Sequence, residues 1–243
     1  MNTKIIAVCA ALVAAVSFAD DEIEQDGGEL RLMPKNHKTF LFVDAQSAVG
    51  DMPLKAVLGN IRCFMDFDCR TQKGTAPDLR NVPAALGTLG ADGAIWIVDD
   101  PTLPISLSAV EDGWGVLNVA KLKDADVKKA ERRVTCALLR LFASMFDVGD
   151  STMMPGCVMR PASGVDGLDK LTCREYSPEA ASKVRSGLEA AGYKFAHVGT
   201  YYDACEQGWA PPPTNAVQKA IWEKVHKMPT NPIRILPESQ RKK

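Results

Sequence analysis

The chain has 243 residues, 46% hydrophobic and 24% charged, a composition that excludes disorder, collagen and a multi-span membrane protein. Its 29 basic residues face 30 acidic ones, so no cationic surplus exists to neutralise phosphates, and nucleic acid is not an expected partner. The length suggests one sizeable domain or two small ones, long enough to bury a real core.

Residues 1–19 combine one cation (Lys4), an apolar run from Ile5 to Val16 and small residues at Ser17 and Ala19, which is the pattern of a cleavable signal peptide. The run is short for a bilayer span, and acidic rather than basic residues follow it (Asp20, Asp21, Glu22, Glu24, Asp26). Export to a periplasm or the extracellular space is the expectation, with no membrane span left after cleavage. Of the seven cysteines, Cys9 lies in this segment. The other six, Cys63, Cys69, Cys136, Cys157, Cys173 and Cys205, are an even set in an oxidising compartment and are expected to form disulfides. Cys63 with Cys69, and Cys157 with Cys173, would clip short loops. A structural zinc is the weaker reading, because no CxxC pair is present.

Residues 20–36 are acidic and without periodicity, and read as a flexible leader; residues 37–243 are expected to form a single domain. Lys38 to Asp44 predicts a first strand. Asp51 and Pro53 open a helix with Leu54, Val57, Leu58, Ile61 and Met65 on one face. After a polar stretch, Ala84 to Leu86 suggests a short helix, and Ala94 to Val98 a central strand. Leu103 to Val110 and Trp114 to Val119 flank Glu111, Asp112 and Gly113, a hairpin signal.

The longest helix is expected from Asp124 to about Phe146, with Val134, Ala137, Leu138, Leu141, Phe142 and Met145 on its apolar face and Gly149 as the stop. A long loop from Asp150 to Leu171 follows. Ser177 and Pro178 open a helix that runs to Ala191 and closes at Gly192; a Tyr-bearing segment, Lys194 to Tyr202, comes next. Thr214 is expected to cap a last helix with Val217, Ile221 and Val225 on one face. The fold class is α/β: a mixed sheet with an edge hairpin, a long central helix and an α-rich C-terminal part.

The order of hairpin, long helix, loop with Cys157-Val158-Met159 and helix opened by Ser177-Pro178 resembles the metzincin zinc peptidases, most closely the archaemetzincins. In that family the long helix carries HExxHxxGxxH, whose i, i+4 histidines share one helix face beside the metal, and a methionine turn lies beneath. Laid on this chain, the ligand positions fall on Arg140, Ser144 and Asp150, the base on Leu141, the glycine on Asp147 and the turn methionine on Met159. Val148 and Gly149 match the family's apolar-glycine pair. Of the family's four structural-zinc cysteines, Cys157 resembles one, Cys173 lies off the expected spacing and Ser151 replaces another. The resemblance therefore implies a metzincin-like fold without zinc ligands, catalytic glutamate or cofactor: a non-catalytic binding or structural module. The ancestral cleft would accept an extended peptide or protein beside the Trp114 to Val119 strand, taken as the edge.

The remaining candidates are thinner. His37, His197 and His226 are the only histidines, and no two stand at ligand spacing. Asp147, Asp150, Asp166 and Asp169 surround the long loop and read better as solvated turn residues than as a calcium site. No GxSxG elbow accompanies Ser144. Tyr201, Tyr202 and Trp209, followed by Pro211 to Pro213, read as a loop packed onto the domain rather than a recognition surface. An alternative function is a divergent hydrolase with a rearranged site drawn from Asp147, Asp150 and His197. Arg140 carries the sharpest implication: a fixed cation at a ligand position opposes a metal ion.

Overall fold

The computed structural model describes residues 30–45, 47–150, 156–172 and 174–227. The expected signal peptide, most of the leader, Ser151 and Cys173 lie outside the described residues. Two compact units are present, Arg31–His197 and, with Leu30, Val198 onward.

The first unit is built on a five-stranded mixed sheet. In chain order its elements are β1 (Leu30–Leu32, whose first residue falls in the second unit), β2 (Phe40–Ala45), α1 (Asp51–Phe64), β3 (Cys69–Gly74), α2 (Val82–Leu89) and β4 (Gly93–Val98). They continue with β5 (Ser106–Ala109), β6 (Trp114–Asn118), α3 (Val127–Ser144), α4 (Gly164–Asp169) and α5 (Pro178–Ala190). The strand order is β3-β2-β4-β6-β5. All neighbours are parallel except the β5–β6 hairpin. The chain is thus α/β with a mixed sheet, an edge hairpin and a long helix.

Period-2 alternation sends side chains to two faces. Phe40, Phe42, Ile95, Ile97 and Leu117 meet α1 through Leu54, Val57 and Ile61, α3 through Leu138 and Phe142, and α5 through Val184 and Leu188. Leu41, Val43, Trp96, Val98 and Val116 face the other way and meet Val82 and Leu86 of α2. With both faces covered, β2 and β4 read as unbroken apolar runs. Phe142 fixes α3 on the sheet, its ring centroid 5.1 Å from that of Phe40.

The long helix starts at Val127, because Asp126 caps it by accepting from the Lys128 and Lys129 amides. Arg133, almost wholly buried, is held by Asp124 and Asp169 and donates to the Lys123 carbonyl. The hydrogen bond from Arg133 is the main reason the Asp169 carboxyl lies far below the usual carboxylate range. Asp169 is therefore an ion-pair member rather than a solvated turn residue. The helix closes through Asp147, whose φ of 60° takes the left-handed position expected of Gly149.

Several other expectations are corrected. The Trp114 to Val119 segment is not the edge: β6 is enclosed by β4 and β5, and β5 is the free edge. The polar stretch before Asn81 contains β3, an edge strand whose exposed side chains hide the apolar signal. The leader contains β1, and the long loop contains α4. Among the described residues no disulfide is formed. Cys63 is exposed on α1 while Cys69 is buried at the start of β3, so the expected clip does not close. Cys136 and Cys157 are buried; the Cys157 thiol is built into its loop as an acceptor from the Met159 and Ser177 amides, at 3.4 and 3.3 Å.

The second unit holds most of β7 (His197–Gly199), then α6 (Tyr201–Gln207) and α7 (Ala216–Lys227). Tyr201 donates to the Pro211 carbonyl at 2.8 Å, which ties the proline run to α6. Asn215, not Thr214, caps α7 by accepting from the Gln218 amide. The expected apolar face is only partly used: Gln218 is buried while Val217 is 65% exposed. No helix of the described residues is long and apolar enough to cross a membrane.

Candidate functional site

A cleft of about 340 Å³ opens between β5 and α3 in the first unit. One wall is Ile105 to Ser108, and the helix contributes Ala137, Arg140, Leu141 and Ser144, the i, i+3, i+4, i+7 stripe of a single face. Asp150, Met159, Ala162 and Leu168 close the far side.

Among the described residues the β5 wall is a free edge, and its register is defined. Ile105 accepts from the Asn118 amide at 2.8 Å, which makes this a hydrogen-bonded pair of the antiparallel ladder. Leu107 and Ala109 therefore turn their backbone groups to β6, while Ser106 and Ser108 turn theirs outward. Asn118 holds the strand in place. It is fully buried, donates to the Asp100 and Leu103 carbonyls at 2.6 and 2.9 Å, and accepts from the Asp100 and Ala120 amides. The sequence reading missed it; its signal is a polar side chain ending an apolar strand just before a loop.

Arg140 organises the opposite wall. Its side chain is only 16% exposed, and its guanidinium makes four bonds. Nη1 donates to the Val158 carbonyl at 2.9 Å and the Arg160 carbonyl at 2.5 Å; Nη2 donates to Asp150 Oδ1 at 2.5 Å and the Ala162 carbonyl at 3.4 Å. The planar fork thus ties α3 to the chain on either side of Met159, a role an ammonium could not fill. Asp150 is 47% exposed.

Four of the positions that the metzincin resemblance marks, Arg140, Leu141, Ser144 and Asp150, meet at this cleft together with Met159. Their chemistry does not suit a metal ion. A guanidinium occupies the first position, Leu141 offers no atom to coordinate, Ser144 donates its hydroxyl back to the Leu141 carbonyl at 2.8 Å, and the Asp150 carboxylate is bound to Arg140. Among the described residues no group of three or more His, Cys, Asp or Glu side chains is gathered as a metal site requires.

The other candidates lie elsewhere. Neither His197 nor Asp147 lines the cleft. His37 bridges Asp68 and the Pro34 carbonyl, at 3.1 Å each. Burial pushes the Asp68 carboxyl up, but hydrogen bonds from Arg70 and Thr39 outweigh it and leave Asp68 below the usual carboxylate range. His226 sits on α7, its ring against Trp222 and Nδ1 at 2.8 Å from the Trp222 carbonyl. Asp166 stands in the first turn of α4.

No family model and no curated protein matches the chain. Solved structures do. An archaemetzincin from Methanopyrus kandleri aligns over 65% of this chain and 99% of its own, at 16% identity and a TM-score of 0.49. An archaemetzincin from Archaeoglobus fulgidus, in complex with malonate, aligns over 60% and 99%, at 16% identity and a TM-score of 0.41. A zinc-dependent peptidase from Methanocorpusculum labreanum aligns over 60% and 99%, at 14% identity and a TM-score of 0.45.

Proposed function

We propose that this chain is a non-catalytic binding module that takes an extended peptide along the free edge of β5. The observation that carries the reading is the state of the cleft beside that edge. Among the described lining residues the one cation, Arg140, and the one carboxylate, Asp150, are spent on each other, and Ser144 donates into its own helix. Hydrolysis of a peptide bond needs an activated nucleophile within reach of the substrate, and among the described lining residues no free base stands beside the Ser106 and Ser108 hydroxyls to activate them. What they do present is an unpaired strand edge, with the Ser106 and Ser108 backbone directed outward, above an apolar floor of Leu117, Leu141, Met159 and Leu168. Strand addition uses these groups as they stand.

The test is a fluorescent hexapeptide of alternating valine and threonine, residues that favour extended backbone. Binding to the full chain is expected to saturate. N-methylation of alternate peptide amides should abolish binding in one phase and spare it in the other, because only every second amide faces β5. Equal effects of both phases would remove strand addition. The competing function, a hydrolase with a rearranged site, predicts cleavage of the same peptide.

We further propose that the chain is exported with cleavage after Ala19, a reading supported by the sequence of residues 1–19 alone. Amino-terminal sequencing of the protein recovered from its native compartment tests it: a retained Met1 would refute it.

A further inference from the structure

The Arg140–Asp150 pair also carries a statement about which part of a peptide the cleft recognises, and this statement rests on the strand-addition reading. Arg140 has two kinds of partner. The Val158, Arg160 and Ala162 carbonyls belong to the backbone and fix the guanidinium in place; Asp150 is a half-exposed side chain. Only Asp150 can leave without dismantling the wall. If it does, a positioned fork remains, held by neutral carbonyls and lacking the anion that balances its charge. Carboxylates match that fork better than any other group a peptide carries.

We propose that Arg140 is the receptor for the C-terminal carboxylate of a peptide lying along β5, and that Asp150 is an internal carboxylate holding the receptor until a peptide replaces it. Three features favour a chain end over an acidic side chain. The cleft, at about 340 Å³, is at the small end for a ligand site and suits the last residues of a chain better than its middle. The edge is only four residues long, so its ladder bonds are few and a charge-assisted anchor adds what the ladder lacks. Moreover, a main-chain carboxylate sits at a fixed place on the backbone that the ladder aligns, whereas a side-chain carboxylate adds rotatable bonds that must be frozen on binding. Binding is an exchange of one carboxylate for another at Nη2, with no covalent step.

The experiment compares three forms of the valine–threonine hexapeptide on the full chain: free acid, C-terminal amide, and an amide with a penultimate glutamate. The free acid is expected to bind at least tenfold tighter than either amide, and the difference to shrink as salt rises. Asp150→Asn removes the internal competitor while leaving the carbonyl cradle. It is expected to tighten the free acid about tenfold and to change the amide far less, so that the acid-to-amide ratio widens. Arg140→Lys keeps the charge without the fork and should lose most of the preference for the acid. Equal binding of acid and amide would overturn the inference while leaving strand addition standing. A glutamate-bearing amide as good as the acid would overturn the assignment to the chain end. No binding of any form, by the wild type or by Asp150→Asn, would overturn both.

Discussion

Replacing Arg140 by leucine removes one guanidinium and leaves three backbone carbonyls and a carboxylate without their donor. The cost follows from their surroundings. Hydrogen bonds to a charged donor contribute about 1.5–3 kcal/mol when the vacated partner stays dry. Here Asp150 and Ala162 border an open cleft and Arg160 is exposed, so water can reach them, while Val158 is fully buried; about 1 kcal/mol per carbonyl is the averaged figure. The pair with half-exposed Asp150 adds about 0–1 kcal/mol. Arg140→Leu is therefore expected to lower stability by about 3 kcal/mol, or roughly 6–12 °C in Tm for a chain of this size. Arg140→Lys should recover less than half, since one ammonium cannot span three carbonyls fixed by different residues. Urea denaturation with the slope held constant measures both. A loss below about 1 kcal/mol for Arg140→Leu would refute the role given to the guanidinium, because the chain around Met159 would then be held by something else.

Other substitutions test the supporting framework. Asn118→Ala strips four bonds from a fully buried position and should cost about 3 kcal/mol by urea denaturation, with weakened peptide binding because the start of β5 is released. Gly187→Ala would place a Cβ 2.6 Å from the Phe146 carbonyl oxygen; α5 must move away from the turn that closes α3, at about 1–3 kcal/mol, again read by urea midpoint. Asp169 and Asp68 have carboxyls lowered in the folded state, so their contribution is complete above the ordinary carboxylate pKa and fades as the pH falls below that range. Acid unfolding followed by circular dichroism should begin there, and Asp169→Asn should flatten its onset. An unchanged acid limb would show that the Arg133 pair is not what acid breaks.

The sheet was legible in the sequence where burial is two-sided or the turn chemistry is explicit. Phe40 to Asp44 and Ala94 to Val98 are apolar because helices cover both faces, and Glu111-Asp112-Gly113 marks the hairpin. Two elements were not legible: β3 exposes most of its side chains, and β1 is three residues long. Assigning the edge to β6 rather than β5 has a related cause, since SLSA in β5 lacks the apolar signal of WGVLN in β6 although the two pair residue for residue. For the cleft, it was the family resemblance, not composition or periodicity, that pointed to Arg140, Leu141, Ser144, Asp150 and Met159, which line one pocket. The bond between Arg140 and Asp150, ten positions apart across a turn, needed the path of the chain through Asp147. Cysteine parity misled because it counts thiols without their directions: Cys157 accepts from the Met159 amide of its own loop and from the Ser177 amide at the start of α5.

The most direct measurement incubates the full chain with the free-acid hexapeptide and follows anisotropy and peptide mass in the same sample. Saturable binding with the peptide recovered intact is the predicted result. Cleavage of the peptide, or the absence of binding at any accessible concentration, would contradict the account.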